Sequence, residues 1–261
     1  AAEQAALPGG RWPSTACLVA AALAGLLALT LIAAGLVTTV HRAVLIHLNS
    51  DLLYIAAVYR DLGGNLARWN LPPAPYFFPD MALTFPLWSL TGELGAGYLL
   101  YGVVLFVLFL GGFYALLGAV EGSVRVRLIA TLSAALLYLS ASRNGHPALG
   151  VAFLPIFHAG VLVVGLWFLA ATWALLTRPT SFAARAAVFL LAALTGASDL
   201  FFVTQFIFPM GLAIVLLGRG KRLAPPAVRT WLVTILLAGA VAIAGLIVFQ
   251  RITAVRFHSN F

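Results

Sequence analysis

Charge is what this sequence has least of. Asp, Glu, Lys and Arg together make up 8% of its 261 residues, about a third of the share found in ordinary soluble domains. A chain so poor in charge cannot cover a water-exposed surface, which excludes a soluble globular protein. Cysteine is limited to Cys17, inside an apolar run, so there is neither a disulfide framework nor a CxxC metal or redox motif. Lysine is limited to Lys221, and every other base is Arg. Arg suits phosphate and lipid headgroups, although a GC-rich coding sequence produces the same bias. The net charge of +8 does not indicate nucleic acid, because the arginines are scattered through connecting segments and form no basic face interleaved with aromatics. No Ser-His-Asp set, P-loop or metal-ligand spacing is present. The sequence therefore names no cofactor and assigns no metal ligands; a divalent metal held by an acid stays open as a chemical option.

What is abundant is hydrophobic sequence, 63% of the chain with a mean hydropathy of +1.06. A spanning helix needs about 20 apolar residues. The expected fold is all-α: a polytopic transmembrane bundle of about seven spans forming a single domain over residues 1–261. Residues 1–14 form a polar tail, and 14–40 read as an uncleaved first span, because a signal peptide has a shorter apolar core of about 7–15 residues. Further spans are expected at 94–120, 128–141, 151–176 and 231–250. The run 186–217 is too long for one span and is interrupted by Thr195-Gly-Ala-Ser-Asp199, so it reads as two short helices meeting at a break. The chain begins without Met and ends on Arg256-Phe-His-Ser-Asn-Phe261 directly after a span; one or both ends are expected to be missing.

The exception to this pattern is the loop at 41–80. Asn49 or Ser50 can cap a helix running to about Leu66 with Asp51 in its first turn. Its apolar stripe of Leu52, Ile55, Tyr59 and Leu62 suits a helix lying at a membrane surface. Pro72, Pro73, Pro75 and Pro79 follow, and such proline spacing predicts an extended strip over 71–80 that is not helical. Three of the seven acids, Asp51, Asp61 and Asp80, lie in this loop.

The bases set the orientation. With the N-terminus in the cytoplasm, nine bases fall inside, including Arg125, Arg127, Arg185, Arg219 and Arg229, and six fall outside, as the positive-inside rule requires. All five His and the acids Asp51, Asp61, Asp80, Glu93 and Asp199 then crowd the outer half, and residues 251–261 form an outer tail. The expected location is a bacterial inner membrane, multi-pass, with a cytoplasmic N-terminus.

A span, an outer helix opening on an acid, a Pro/aromatic strip and a short apolar helix follow one another in this chain. That order resembles the GT-C-type membrane glycosyltransferases, among them the polyprenyl-phosphate-sugar-dependent mannosyl- and aminoarabinose-transferase-like families. Asp51-Leu-Leu-Tyr54 stands where that family begins its first outer loop, Tyr76-Phe-Phe-Pro-Asp80 matches its strip, and the break at Gly196-Ala-Ser-Asp199 resembles its short helices. The resemblance covers roughly residues 15–218. It implies sugar transfer from a polyprenyl-phosphate donor on the outer face, with Asp51 as the catalytic carboxylate. Tyr54, Arg60, Asp80, Arg143, His146, His158 and Asp199 are then the substrate-binding candidates. The chemistry needs a base for the acceptor proton, or a carboxylate for a metal, and cations for the leaving phosphate. Arg60, Arg68 and Arg143 can supply the cations, since guanidinium groups bind phosphate in a fork.

Each candidate also has a plainer reading. Asp51 can serve as a first-turn acid, Asp80 as a cap for the next helix, Asp199 as a cap at the break, and His158 as a hydrogen-bonded core residue. Leu52 stands where the family carries a second acid. That departure supports the alternative function, a non-catalytic GT-C-like subunit of a larger complex. The implied partners are a lipid-linked sugar or other membrane lipid and neighbouring membrane proteins, with no nucleic acid.

Overall fold

Long apolar runs broken by glycine, proline and short polar turns produce helices and, among the described residues, no strand. The structure is a computed structural model, and it describes residues 34–35, 37–38, 50–61, 74–119, 123–143, 158–176, 181–220 and 222–252. Eight helices organise it: α1 (Ser50–Arg60), α2 (Ala82–Thr91), α3 (Leu94–Leu117), α4 (Val124–Arg143), α5 (Ala159–Leu176), α6 (Phe182–Ser198), α7 (Leu200–Arg219) and α8 (Pro225–Ile252). Four of them, α3, α5, α7 and α8, are long and apolar enough to cross a membrane. The chain is therefore a multi-pass, all-helical membrane protein. The expected first span, 14–40, lies outside the described residues apart from two helical fragments.

Several boundaries differ from expectation for local reasons. α4 begins at Val124 rather than 128 and carries Arg125, Arg127 and Arg143, so it is long enough to span but less apolar. α6 and α7 do meet at a break at Asp199, yet α7 is a full 20 residues rather than a short helix. The strip is extended at Phe78 (φ −138°, ψ 132°) but coils into one wide turn over Phe77–Met81, where the Met81 N–H donates to the Tyr76 carbonyl at 2.9 Å. Pro79 is tolerated there because it lies near the start of the turn, where a missing N–H leaves no ladder bond unmade.

Neighbouring contacts fix helix direction. The indole N–H groups of Trp167 and Trp173 donate to the carbonyls of Leu108 (2.9 Å) and Ala119 (3.2 Å); the two numberings rise together, so α3 and α5 run parallel. Tyr138 packs on Phe106 while Arg127 lies over the Tyr114 ring, so α4 runs against α3. α7 runs against α8, since Ile207 lies by Gly239 and Val228 by Gly218. Gly196 brings α6 against α8; a Cβ there would sit 2.8 Å from that of Ala242. Small residues allow such close backbone approach where lipid offers no hydrophobic drive for association.

This up-and-down order gives the bundle two chemically different ends. One end holds the starts of α3, α5 and α7 and the ends of α4, α6 and α8. Every described acid, Asp51, Asp61, Asp80, Glu93 and Asp199, belongs to that end. Arg125, Arg127, Arg185, Arg219, Arg222 and Arg229 gather at the other. At the acidic end α2 doubles back against α3, with Trp88 edge-on to Tyr98 at 5.0 Å and its indole filling the space over Gly97. α1 packs on this hairpin. Ile55, Ala56 and Val58 are buried, and the Tyr59 ring stands 5.1 Å from that of Trp88 while its hydroxyl shares a hydrogen bond with Ser89.

Candidate active site

Asp80 enters the bundle because α2 runs back along α3. Tyr101, seven residues into α3, lies about 10 Å below that helix's first residue at 1.5 Å per residue, and its hydroxyl donates to Asp80 Oδ1. Asp80 is 1% exposed. It does not cap α2; Met81 occupies the cap position without a side-chain bond. Its carbonyl instead accepts from the Thr84 hydroxyl at 2.6 Å. Its second carboxyl oxygen, Oδ2, is buried with no hydrogen-bond partner. Burial raises the Asp80 carboxyl to about 7, and the nearby Asp199 charge acts in the same direction. A buried carboxyl held near neutrality is a proton donor and acceptor in waiting.

Gly160, in the first turn of α5, lets Asp80 approach this closely. A Cβ there would meet Asp80 Oδ1 at 2.5 Å and Pro79 Cγ at 2.6 Å. Just before it, His158 has φ +63°, and across the site Tyr76 has φ +56°. Left-handed backbone is uncommon for residues with a Cβ, costs on the order of 1–3 kcal/mol, and concentrates at functional sites.

The break between α6 and α7 supplies the third group. Asp199 has extended dihedrals (φ −153°, ψ 112°), and its Oδ1 accepts from the Phe201 N–H at 2.9 Å, capping α7. Its other oxygen, Oδ2, is bonded to His158 Nδ1. The His158 ring stacks on Phe201 with centroids 4.8 Å apart and lies 5.9 Å from Tyr76. Asp199 is 3% exposed at its side chain and His158 34%, so the acid is sealed while the imidazole reaches the surface. The bond to Asp199 raises the His158 pKa, and burial opposes it in part. With Nδ1 directed at the carboxylate, Nε2 is the nitrogen left to exchange protons. The strip is pinned over the site by the Phe78 N–H, which donates to Ser198 Oγ at 2.9 Å, and by Phe77 against Phe249 of α8.

Asp80, His158 and Asp199 are thus brought together from three distant stretches. Tyr54 sits one layer out, its hydroxyl donating to the Pro75 carbonyl at 3.4 Å. Arg60 is exposed at the end of α1. Asp51 lies in the first turn of α1 and Arg143 in the last turn of α4, both at the acidic end, but their side chains lie outside the described residues, as does His146 entirely. Tyr101, Ser198 and Thr84 were not legible as site residues. Tyr101 is one aromatic in a continuous apolar run, and only the polar cluster around Asp199 pointed towards Ser198. Among the described residues no group of three His, Cys, Asp or Glu side chains is placed to hold a metal ion. Comparison with known proteins adds no analogue to this geometry: no protein-family model, no curated protein and no solved structure matches the chain.

Proposed function

We propose that this protein is a membrane glycosyltransferase-like enzyme of GT-C type, taking a sugar from a polyprenyl-phosphate donor at the acidic end of the bundle. That end faces outward from a bacterial inner membrane, and the N-terminus is cytoplasmic. The arginines gathered at the opposite end support this orientation, because basic termini are retained in the cytoplasm. The observation that carries the chemistry is the His158–Asp199 pair: a sealed carboxylate orients a half-exposed imidazole, the arrangement by which a histidine becomes an effective base. His158 Nε2 takes the proton of the acceptor hydroxyl as its oxygen bonds to the sugar C1. The bond from C1 to the phosphate oxygen breaks, and the lipid phosphate leaves with the electron pair. Arg60 and Arg143 are among the cations that could serve that phosphate. Asp51 is the carboxylate that the resemblance nominates, and Asp80 holds a proton beside the pair.

A second reading rests on one observation. Each oxygen of Asp199 is already engaged, and Asp80 is bonded to Tyr101, as a latch that only holds the strip in place would require. The protein would then be a non-catalytic subunit. A strain deleted for the gene and complemented with His158→Gln, Asp199→Asn or Asp51→Asn separates the two, with membrane levels of the protein checked by immunoblot and surface glycolipids profiled. Loss of a general base reduces rate about 10²–10⁴-fold. A modification that disappears on deletion and on His158→Gln, at normal protein level, supports the enzyme. Normal modification in all three variants refutes it and leaves the subunit.

A further inference from the structure

The basic end carries a feature that the acidic-end chemistry does not use. Two open grooves flank the start of α8. One, of about 540 Å³, lies between α6 and α8 and is lined by the apolar Phe182, Phe189, Val233 and Leu237 and by Arg185 and Arg229. The other, of about 400 Å³, lies between α7 and α8 beside Gly218, Val228 and Leu232. They share Arg229 and Val233. Arg185 Nε is buried without a hydrogen-bond partner, and among the described residues neither arginine is paired with a carboxylate. From Arg185 to Ser198, thirteen residues of α6 place this end about 20 Å from the Asp199 break.

We propose that these grooves form a binding site for a diacyl anionic phospholipid, with its phosphate between Arg185 and Arg229 and one acyl chain in each groove. The chemistry is specific on both counts. Two guanidinium groups lacking carboxylate partners offer forked donors to phosphate oxygens. Two apolar grooves meeting at one arginine suit a headgroup with two chains better than a free anion or a single-chain lipid. The helix ends place the arginines at headgroup level, where each base near an anionic surface contributes about 5-fold in affinity, so that the pair contributes about 25-fold.

The test is thermal unfolding of the delipidated protein in detergent, followed by circular dichroism. The additions are dioleoyl-phosphatidylglycerol, dioleoyl-phosphatidylcholine, lysophosphatidylglycerol or inorganic phosphate. Phosphatidylglycerol should raise Tm saturably, and the other three should do so much less. R185Q/R229Q should weaken the phosphatidylglycerol titration about 25-fold. V233W keeps both arginines and fills the shared wall at an exposed position; it should weaken the same titration without changing Tm in the absence of lipid. Equal stabilisation by phosphatidylcholine or by inorganic phosphate overturns the proposal, as does an unchanged titration in R185Q/R229Q. Should that double variant fail to fold, V233W and the single-chain lipid decide: undiminished binding in either case overturns the two-groove site.

Discussion

Replacing Asp80 by Asn should remove a pH dependence that the buried acid imposes on the whole protein. Burial raises its carboxyl from 3.8 to about 7 in the folded state. Between those two values the unfolded chain has released the proton and the folded chain still holds it. Stability therefore falls as pH rises, by about 1.4 kcal/mol per pH unit. From pH 4.5 to 6.5, with both titrations partly complete at the ends of the interval, that amounts to roughly 2.5 kcal/mol. For a chain of this size, about 2–4 °C of Tm accompanies each kcal/mol, so wild type should lose about 5–10 °C over that interval relative to Asp80→Asn. His158, whose pKa is also raised, contributes a loss in the same direction. That loss begins only as pH rises past 6.5, because below that value both states hold its proton. The interval chosen therefore isolates the acid. The assay is thermal unfolding in detergent, followed by tryptophan fluorescence, at matched ionic strength. A difference between wild type and Asp80→Asn that stays constant from pH 4.5 to 6.5 would refute the assignment of a neutral buried carboxyl.

Tyr101→Phe removes the hydroxyl that donates to Asp80 Oδ1 and should cost about 1–3 kcal/mol at pH 5, read in the same melt; no change in Tm would mean that the hydroxyl is not bonded there. Gly160→Ala forces a methyl group against Asp80 and Pro79, and overpacking of about 1–3 kcal/mol should lower Tm by several degrees. Ser198→Ala removes the acceptor of the Phe78 N–H and should cost about 1 kcal/mol; protease sensitivity near the strip would report its release. In a Cys17→Ser background, cysteines introduced at Ser89 and Ser123 should label from opposite sides of the membrane, and labelling from one side only would contradict the two-ended bundle.

The membrane class, the all-helical architecture and the break at Asp199 were legible because each depends on local sequence. Apolar length gives a span, and a polar cluster inside such a length gives an interruption. The wide turn at Phe77–Met81 was not legible. Four prolines argue for extended chain, but proline forbids helix only where its N–H would have been needed, and Pro79 sits where it is not. The burial of Asp80 was hidden for a related reason. An acid after a proline and before an apolar run looks like a cap from sequence alone. Whether it caps α2 or turns inwards depends on Gly160 and Tyr101, residues 80 and 21 positions away, and on the direction in which α2 doubles back. The pairing of His158 with Asp199 likewise depends on the packing of α5 beside the α6–α7 break.

At Asp199 the structural and the functional readings turn out not to compete. A helix that restarts after a break leaves its first N–H groups without partners, and in an apolar bundle those donors need an acceptor. One carboxylate oxygen is enough for that, and Oδ1 supplies it to Phe201. A serine or threonine cap would have spent its only oxygen there. An aspartate has a second, Oδ2, and it holds His158. The buried charge is costly on its own account. Here it has two donors, the α7 terminus and the imidazole, and one of them is the group best suited to move a proton at neutral pH. The break thus both ends one helix and orients the one half-exposed titratable side chain of the cluster, so the α6–α7 geometry and the proposed base stand or fall together.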